Sequence, residues 1–356
     1  MFSSLRNSNR KIIMYEKDVE ACRVYQSLET RFQGTGILYR RGVKRPWKFE
    51  EFSGLRPKEA RSETMSEESE YIMSKPMNAY TGFARVYETF MDNIPYKEWA
   101  VYLKELLSEY GVPSGSLLAE LGCGTGSMTR LLAEAGYDMI GIDLSEEMLD
   151  IARYEHPEEE YDILYLNQDM REFELYGTVA AVISVCDSMN YITSEEELLQ
   201  VFILVNNYLD PGGYFIFDMK TAYNYEVLMG DRVIAENRED CSLIWENYFD
   251  KETGINQYDI TIYTKAEFEE EETDEWEEED AEQESLPPLY ERLEESHIQR
   301  AYPVETVISL LKEAGLEFVA VYGGCTKEAP KADSDRVYFV AREKFQENKY
   351  YEEKGE

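Results

Sequence analysis

The sequence predicts an α/β fold built on a parallel, doubly wound sheet with helices on both faces. Strand and helix patterns alternate from residue 116 to residue 218, and a glycine-rich turn joins the first strand to its helix. The chain has 356 residues, of which 43% are hydrophobic, so it is long enough to bury a full core. Such alternation places parallel strands side by side, with the connecting helices on the two faces of the sheet.

Recognisable signals bound the elements of this alternating region. The first helix stops at Gly136, Ser145 is suited to cap the second, and a capping box at Ser194-Glu-Glu-Glu197 opens a third that ends before Asp210. The apolar run VAAVISV predicts a buried strand. Strands are predicted at residues 116–121, 138–143, 162–166, 179–185 and 214–218, with helices at residues 128–135 and 146–153.

The flanking residues follow other patterns. Upstream, residues 80–111 place apolar side chains at helical spacing in two runs separated by Asn93-Ile94-Pro95. Further along the chain, residues 243–249 and 256–265 alternate polar and apolar side chains around the turn Asp250-Lys-Glu-Thr-Gly254, which predicts a β-hairpin. A helix at residues 304–314 and strands at residues 317–322 and 336–341 complete the predicted sheet.

Two charged segments interrupt this organisation. Residues 1–64 hold 14 Lys and Arg against 8 Asp and Glu without sustained periodicity, whereas residues 267–284 hold 13 acids in 18 positions. We interpret the first as upstream sequence translated ahead of a start at Met65, Met73 or Met77, with a basic disordered arm as the alternative. We interpret the second as a solvated loop, with a docking segment for a basic partner as the alternative.

The overall composition limits the partners and the compartment. A net charge of −37 repels phosphate backbones, which argues against nucleic-acid partners. No run of 18 apolar residues suits a membrane span, and the N-terminus lacks the apolar region of a secretory signal. Five cysteines without a CxxC pair favour a reduced, cytoplasmic setting, and the presence of only two histidines argues against a metal site.

The segment LLAELGCGTG predicts a binding site for a ligand that contains adenosine. Its turn presents unpaired backbone N–H groups at the positive end of a helix, and Gly122, Gly124 and Gly126 remove side chains where a ligand approaches the backbone. Asp143 ends the next strand, where its carboxylate can accept both ribose hydroxyls. These features alone fit a dinucleotide enzyme and another adenosine-binding enzyme equally.

Three details distinguish the two classes. The dinucleotide pattern is G-x-G-x-x-G/A, but here the glycines run G-x-G-x-G and Ser127 follows them. Glu120, two residues before the first glycine, suits an α-ammonium and would repel a pyrophosphate. Asp169 can accept a hydrogen bond from the adenine amine, and Met170 can pack on the ring. Acids around a phosphate-free ligand favour S-adenosylmethionine (SAM), which carries a sulfonium and an ammonium.

The motif series resembles that of the class I SAM-dependent methyltransferases. The resemblance rests on LLAELGCGTG, Asp143 and QDMREF, and extends to YTGFARVYETFMDNIPYKEW, CDSMNYI, PGGYFIFD, IWENYFD and ESHIQRAY. These segments are similar to small bacterial cytosolic methyltransferases related to small-molecule and aminosugar N-methyltransferases. The resemblance covers residues 80–344 and implies a Rossmann-like sheet of seven strands whose last strand is antiparallel, with an N-terminal helical lid.

The expected domains combine this resemblance with the charge pattern. They are an N-terminal extension (1–75), a helical lid (76–110), a SAM-binding core (111–222), an antiparallel β excursion (223–300) with an acidic insert (267–286), a C-terminal part of the core sheet (301–344) and a charged tail (345–356).

The resemblance also implies which residues bind the cofactor. Those expected at the methionine end of SAM are Glu120, Gly122, Cys123 and Gly124; at the ribose, Asp143 and Leu144; at the adenine, Asp169 and Met170; and at the amino group, the backbone of Cys186. On spacing alone, Cys123, Met170 and Cys186 fit simple core residues equally well.

Methyl transfer from a sulfonium is an in-line displacement that depends mainly on alignment. An ammonium or hydroxyl acceptor must also lose a proton, so the site needs a base. The candidates expected over the methyl are His297, Tyr87 and Asp187, followed by Tyr80, Asn190 and Arg300. Histidine is the side chain best suited to this role at neutral pH.

Each candidate also has a structural interpretation. His297 equally fits a residue that ties its strand to Glu294 or Glu295, and Arg300 fits an ion pair with a neighbouring acid better than a substrate contact. Tyr87 fits a core aromatic, and Asp187 fits a residue that shapes the loop after the fourth strand.

The sequence therefore predicts a SAM-dependent methyltransferase that acts on nitrogen or oxygen of a small molecule, as a monomer or homodimer. A methyltransferase acting on RNA or protein is one alternative, although no N/D-P-P-Y/F segment follows the fourth strand. A non-catalytic SAM-binding or assembly protein is another. An NAD-dependent oxidoreductase is disfavoured by the glycine spacing and by Glu120.

Overall fold

The computed structural model describes residues 5–7, 10–15, 80, 82–156, 161–266 and 289–344. The expected acidic insert (267–286) and charged tail (345–356) lie outside the described residues. The same holds for most of the expected N-terminal extension (1–75), in which the structure describes two short strands where the sequence shows no strand pattern.

The described chain alternates strands and helices as the sequence predicts. The strands are β1 (Leu5–Asn7), β2 (Arg10–Tyr15), β3 (Leu117–Leu121), β4 (Asp138–Asp143), β5 (Leu164–Asn167), β6 (Val179–Ser184), β7 (Leu209–Lys220), β8 (Arg232–Asn237), β9 (Cys241–Asp250), β10 (Ile255–Lys265), β11 (Tyr290–Arg300), β12 (Leu316–Gly323) and β13 (Arg336–Glu343). The α-helices are α1 (Tyr87–Phe90), α2 (Tyr96–Glu109), α3 (Ser127–Glu134), α4 (Glu146–Glu155), α5 (Glu195–Tyr208) and α6 (Val304–Glu313). Shorter helical segments are 3-10 turns at Phe83–Val86 and Ser188–Tyr191 and a π-helix at Asn224–Met229.

Seven strands of the described chain form a mixed sheet in the order β12-β13-β7-β6-β3-β4-β5. The neighbours from β7 to β5 run parallel, whereas β13 is antiparallel to both β7 and β12. Apolar clusters cover both faces of this sheet, as helices on both sides require. The predicted α/β class and the antiparallel last strand are confirmed.

Two predicted helix caps are formed. The Ser145 hydroxyl accepts the N–H of Met148 at 3.1 Å, and the Ser194 hydroxyl accepts the N–H of Glu197 at 3.1 Å. Each cap satisfies a backbone donor that the first turn of a helix leaves unpaired. The local sequence therefore fixes where α4 and α5 begin.

Strand β7 differs from its predicted start. It begins at Leu209 rather than at residue 214, so the segment Asp210-Pro-Gly-Gly213, expected between the helix and the strand, lies within the strand. Its pairing with β6 jumps from Leu209 to Tyr214, which leaves an irregular stretch around Pro211. Proline has no N–H to donate, so a strand accommodates it where the regular ladder is interrupted.

A second sheet has the order β1-β2-β8-β9-β10-β11. The predicted β9–β10 hairpin is present, and β8 pairs antiparallel with β9 although the sequence did not predict it. Residues that face each other on antiparallel strands share a side of the sheet. One side buries polar residues such as Asn256 and His297, whereas Tyr248 and Ile298 on the other side are 58% and 49% exposed.

The expected lid region divides into two parts. Helix α2 packs into an apolar cluster of the first sheet through Leu103 and Leu106. The shorter part, Phe83–Val86 with α1, packs against the buried side of the second sheet at Leu243, Ile260 and Ile262. Residues 80 and 82–90 are called the lid.

No helix in the described ranges has the length and apolar character needed to cross a bilayer.

Candidate functional site

The glycine turn lies where the carboxyl ends of β3, β4, β5 and β6 meet, the usual ligand edge of such a sheet. The N–H groups of Gly122 and Cys123 donate to the Ile142 carbonyl at 2.8 and 3.0 Å, which fixes the turn to the end of β4. Gly122 has φ +71°, and a Cβ there would lie 2.6 Å from the Ser188 Cβ. A Cβ at Gly124 would meet no atom within 4 Å, so free space adjoins the turn.

Asp143 lies directly against this turn. Its carboxylate accepts the N–H of Gly124 at 2.8 Å and the N–H of Ser145 at 2.9 Å. Burial raises the pKa of Asp143 in spite of these hydrogen bonds. The neighbouring Leu144 is 66% exposed, and its carbonyl accepts the side-chain amide of Asn167 at 2.9 Å. The carboxylate is thus held in a fixed orientation beside the free space at the turn.

Glu120 lies on β3 and is 2% exposed. Its carboxylate accepts the hydroxyl of Thr129 at 2.5 Å. Burial raises the pKa of Glu120 to about 8, and the charge of Asp143 adds to this effect. A bound cation would favour the ionised form of both carboxylates. Their arrangement therefore suits a ligand that carries an ammonium and a ribose.

The two predicted adenine residues differ in their surroundings. Both carboxylate oxygens of Asp169 contact the guanidinium of Arg171, with Oδ2 2.5 Å from Nη2. Burial acts to raise the pKa of Asp169, yet the hydrogen bonds from Arg171 lower it. The methyl group of Met170 lies 3.4 Å from where a Cβ of Gly122 would be, so this side chain does border the turn. The pair with Arg171 was not predicted.

Cys123 contributes its backbone to the turn and its side chain to the core. It is 7% exposed and belongs to an apolar cluster of the first sheet. Its sulfur would lie 3.0 Å from a Cβ placed on Gly141. The core interpretation of this side chain and the predicted backbone role are therefore compatible.

The loop after β6 has a left-handed backbone at two consecutive residues. Cys186 and Asp187 have φ of +61° and +60°. Their N–H groups donate to the Asp218 carboxylate at 3.1 and 2.8 Å. Non-glycine residues adopt this conformation only where surrounding contacts hold them in it. Asp218, the last residue of YFIFD, supplies those contacts and was not predicted as a site residue.

The side chain of Asp187 is surrounded by donors. It contacts Lys220 Nζ at 3.0 Å, Arg336 Nη2 at 2.8 Å and Gln299 Nε2 at 2.8 Å. Burial acts to raise the pKa of Asp187, but Lys220 and then Arg336 lower it below the ordinary value. A carboxylate held in this way accepts a proton poorly, so the geometry gives Asp187 a positioning role in the loop.

The lid is fixed to both sheets. The Glu295 carboxylate on β11 accepts the N–H groups of Tyr80, Gly82 and Phe83 at 2.7, 2.5 and 2.7 Å. On the other side, the carbonyl of Tyr80 accepts the hydroxyl of Ser145 at 2.9 Å.

A second contact joins the lid to the glycine turn. The Glu88 carboxylate of α1 accepts the hydroxyls of Thr125 and Ser127, the latter at 3.1 Å. The lid therefore lies over the turn and over the end of β4.

His297 is 1% exposed and has a partner at each ring nitrogen. Nε2 lies 3.2 Å from the Glu295 carboxylate, and Nδ1 lies 3.0 Å from the hydroxyl of Tyr191. The ring stacks on Tyr258 at 4.8 Å between centroids and meets the edge of Tyr80 at 4.9 Å. Its predicted structural tie to Glu295 is present, and it also lies beside three tyrosines.

The remaining candidates differ in position. Tyr87 packs edge-on against Tyr80 and Phe83 within the lid. Asn190 is held by backbone, since its side-chain amide donates to the carbonyls of Lys220 and Arg300 at 3.1 and 2.8 Å. The Arg300 guanidinium binds Thr193 and pairs with Glu195 at 3.1 Å, the ion-pair interpretation given above.

Comparison with known proteins identifies relatives that match about three quarters of this chain. The model of the family described as "Methyltransferase domain" matches residues 118–213. The chain is 32% identical over 264 residues to the Bacillus subtilis (strain 168) protein named "Putative methyltransferase YqeM", a match that covers 74% of this chain and 96% of that protein.

A shorter sequence match and a solved structure are also to methyltransferases. The chain is 33% identical over 106 residues to the dTDP-3-amino-3,4,6-trideoxy-alpha-D-glucopyranose N,N-dimethyltransferase of Streptomyces venezuelae, covering 30% of this chain and 43% of that protein. The fold matches a S-adenosylmethionine-dependent methyltransferase from Clostridium acetobutylicum ATCC 824 with a TM-score of 0.62 at 23% identity, covering 75% of this chain and all of that one.

Proposed function

Because the chain belongs to the class I SAM-dependent methyltransferases, we propose that its acceptor is a small molecule methylated at nitrogen or oxygen. The observation that carries this proposal is the closure of the site. The lid is bonded to the end of β4 through Ser145 and to β11 through Glu295, so it covers the edge at which the cofactor residues meet. A covered site suits a small acceptor better than a folded RNA or protein.

The cofactor SAM supplies an electrophilic methyl group on a sulfonium. We propose that Glu120 and the turn at Gly122, Cys123 and Gly124 hold its methionine end, with the backbone of Cys186 near the amino group. Asp143 and Leu144 would hold the ribose, and Met170 with Asp169 the adenine. Support comes from the two buried carboxylates with raised pKa values and from the free space beside Gly124.

Among the three residues predicted for catalysis, His297 is the best base, since its ring is paired with a carboxylate that would stabilise the imidazolium. Tyr87 is expected to line the acceptor space from the lid. Asp187 is expected to fix the loop after β6 through its contacts with Lys220 and Arg336. We therefore expect His297 to accept the proton, and Tyr87 and Asp187 to shape the site.

An amine is the acceptor that the relatives favour. The Streptomyces venezuelae relative is named for N,N-dimethylation of an amino sugar nucleotide, although its match covers 30% of this chain. A monomer or homodimer in the cytoplasm completes the proposal, with light scattering and cell fractionation as the corresponding measurements.

The test is turnover of methyl-labelled SAM with a panel of amino sugars, simple amines and phenols, alongside tRNA, rRNA and cell-protein extract. We expect label in a small-molecule pool and none in RNA or protein, and loss of turnover in Asp143→Ala with the fold retained. Label confined to RNA or protein would contradict the proposal. SAM binding without turnover on any acceptor would favour the non-catalytic alternative.

A further inference from the structure

The ring of His297 has no free nitrogen with which to touch an acceptor. Nε2 faces the Glu295 carboxylate at 3.2 Å and Nδ1 faces the Tyr191 hydroxyl at 3.0 Å, while the side chain is almost fully buried. If His297 is the base of the proposed reaction, the proton must reach it through another group. Tyr191 is the group in contact with the nitrogen that can accept it.

The partners of the ring determine the direction of each hydrogen bond. Glu295 accepts backbone N–H groups from the lid, and its pKa is lowered by His297 and by those N–H groups although burial opposes the shift, so it is ionised. Nε2 must therefore donate to the carboxylate. In the neutral ring Nδ1 then carries a lone pair, and the Tyr191 hydroxyl donates to it.

The Tyr191 oxygen has two further neighbours. The hydroxyl of Tyr80 lies at 2.6 Å and the hydroxyl of Tyr258 at 2.5 Å. Since the single proton of Tyr191 is used toward His297, both of these hydroxyls donate to its oxygen. This arrangement of protons satisfies the contacts of the neutral ring and of Tyr191, and in it the donors run from Tyr80 to Tyr191 to His297 to Glu295.

Tyr80 is the member of this chain that reaches toward the cofactor residues. Its carbonyl accepts the Ser145 hydroxyl beside the ribose carboxylate. Tyr80 itself is half-buried. Tyr258 is 4% exposed and stacked between Trp245 and His297, a less accessible position.

We propose that Tyr80 and Tyr191 relay the proton of an acceptor ammonium to His297, a proposal that rests on the function given above. The ammonium N–H donates to the Tyr80 oxygen and transfers its proton there. The Tyr80 proton passes to the Tyr191 oxygen and the Tyr191 proton passes to Nδ1 of His297. Both tyrosines end neutral, the acceptor ends as a free amine with a lone pair, and an imidazolium faces the Glu295 carboxylate.

The first test needs no acceptor. The chain contains two histidines, His156 and His297, so nitrogen-15 labelling of histidine gives few imidazole resonances to assign. With S-adenosylhomocysteine bound, we expect His297 to be protonated at Nε2 and hydrogen-bonded at Nδ1. Tyr191→Phe should move the Nδ1 resonance toward that of an imidazole nitrogen whose lone pair accepts no hydrogen bond. A neutral ring that carries its proton on Nδ1 would refute the relay.

A matched control tests whether the change in the Nδ1 resonance requires the Tyr191 hydroxyl or follows the removal of any tyrosine hydroxyl. Tyr102→Phe removes a hydroxyl that donates to the Thr326 carbonyl at 2.6 Å, remote from the ring. This variant should leave both nitrogen resonances of His297 unchanged. Thermal melting and S-adenosylhomocysteine binding verify that each variant folds.

The second test follows initial rates with dTDP-3-amino-3,4,6-trideoxy-α-D-glucopyranose as the amine probe. At neutral pH, Tyr191→Phe and Tyr80→Phe should each lower kcat by about 10²-fold with little change in KM, the lower end of a typical proton-transfer contribution. The loss should shrink as the pH rises, since the amine then arrives deprotonated. An equal loss at every pH, or none, would count against the relay.

Other titratable groups around the His297 ring also influence how the reaction rate depends on pH. The titratable groups that contact His297 are Tyr80 from the lid, Tyr191 after β6, Tyr258 on β10 and Glu295 on its own strand. Tyr102→Phe, which removes a hydroxyl remote from the ring, should retain the wild-type shape of the profile. No turnover of any amine, sugar or phenol by the wild type would instead contradict the proposed function, while the resonance experiment would still decide the direction of the hydrogen bonds.

Discussion

The backbone N–H of Tyr80 donates to the Glu295 carboxylate at 2.7 Å, although the two residues are 215 positions apart in the chain. Gly82 and Phe83 donate to the same carboxylate, so one buried acid of the second sheet organises the start of the lid. The start of the lid is thus held by backbone hydrogen bonds, whereas the Glu88 side chain joins its helix to the glycine turn.

Replacing Glu295 with Gln should loosen the lid. The amide offers one acceptor oxygen where the carboxylate offers two, which leaves buried donors unsatisfied at a cost of about 1–3 kcal/mol in the free energy of unfolding. Hydrogen exchange at the amides of Gly82 and Phe83 should accelerate. Glu294→Gln, at an exposed neighbour, is the control, and equal protection in the two variants would disprove the anchoring role.

Glu120 should make the stability of the ligand-free protein depend on pH. Its folded-state pKa of about 8 exceeds the ordinary value of 4.5, so the folded protein keeps a proton that the unfolded chain has lost. Stability is highest below the unfolded pKa, declines as the pH rises between the two values, and changes no further above the folded pKa.

Glu120→Gln should remove this decline, worth on the order of 3–5 kcal/mol at alkaline pH. It should also weaken SAM binding, since the carboxylate proposed to face the ammonium is lost. Urea denaturation at several pH values and calorimetry with SAM provide the measurements. The exposed Glu155→Gln serves as control, and identical pH curves for wild type and Glu120→Gln would contradict the assignment.

The two glycines of the turn should differ in their tolerance of a methyl group. Gly122→Ala and Gly124→Ala both place an L-residue at positive φ, which costs about 1–2 kcal/mol. Only the Cβ at position 122 would lie 2.6 Å from Ser188, so Gly122→Ala should be the less stable variant by denaturant midpoint. Equal midpoints would show that the contact with Ser188 relaxes at no cost.

Asp143→Asn should weaken binding of S-adenosylhomocysteine by about 10- to 100-fold, equivalent to the loss of a charged hydrogen-bond partner. The amide nitrogen cannot accept the N–H of Gly124 or a ribose hydroxyl. Titration calorimetry measures the change. Asp150→Asn, whose side chain is 70% exposed and paired with Arg153, should bind as the wild type does, and unchanged affinity in Asp143→Asn would exclude the ribose role.

The first sheet was predictable because each of its signals is local. The helix caps at Ser145 and Ser194 and the glycine turn are short-range patterns, and all of them are present in the structure. The strand β8 was missed because its residues are mostly half-buried, so its sequence lacks clear alternation. Its pairing depends on β9, a contact that periodicity does not reveal.

The site was predictable only in part for the same reason. The position of Asp143 follows from its place at the end of a strand, whereas the donors around Asp187 come from Lys220, Gln299 and Arg336, which are far apart in the sequence. Alternation in ESHIQR shows that Glu295 and His297 share a face, but it does not show that the lid meets that face. These contacts arise only when segments far apart in the sequence pack together.

The hydroxyl cluster beside His297 has a consequence for the divergence of such enzymes. Tyr80, Tyr258 and His297 all lie outside residues 118–213, which match the family model, whereas Tyr191 lies within them. If these residues act on the acceptor as proposed, mutations in the flanking segments change the chemistry of the second substrate and leave the proposed cofactor residues at the glycine turn intact. Descendants of one ancestor could acquire new acceptors in this way without losing their methyl source.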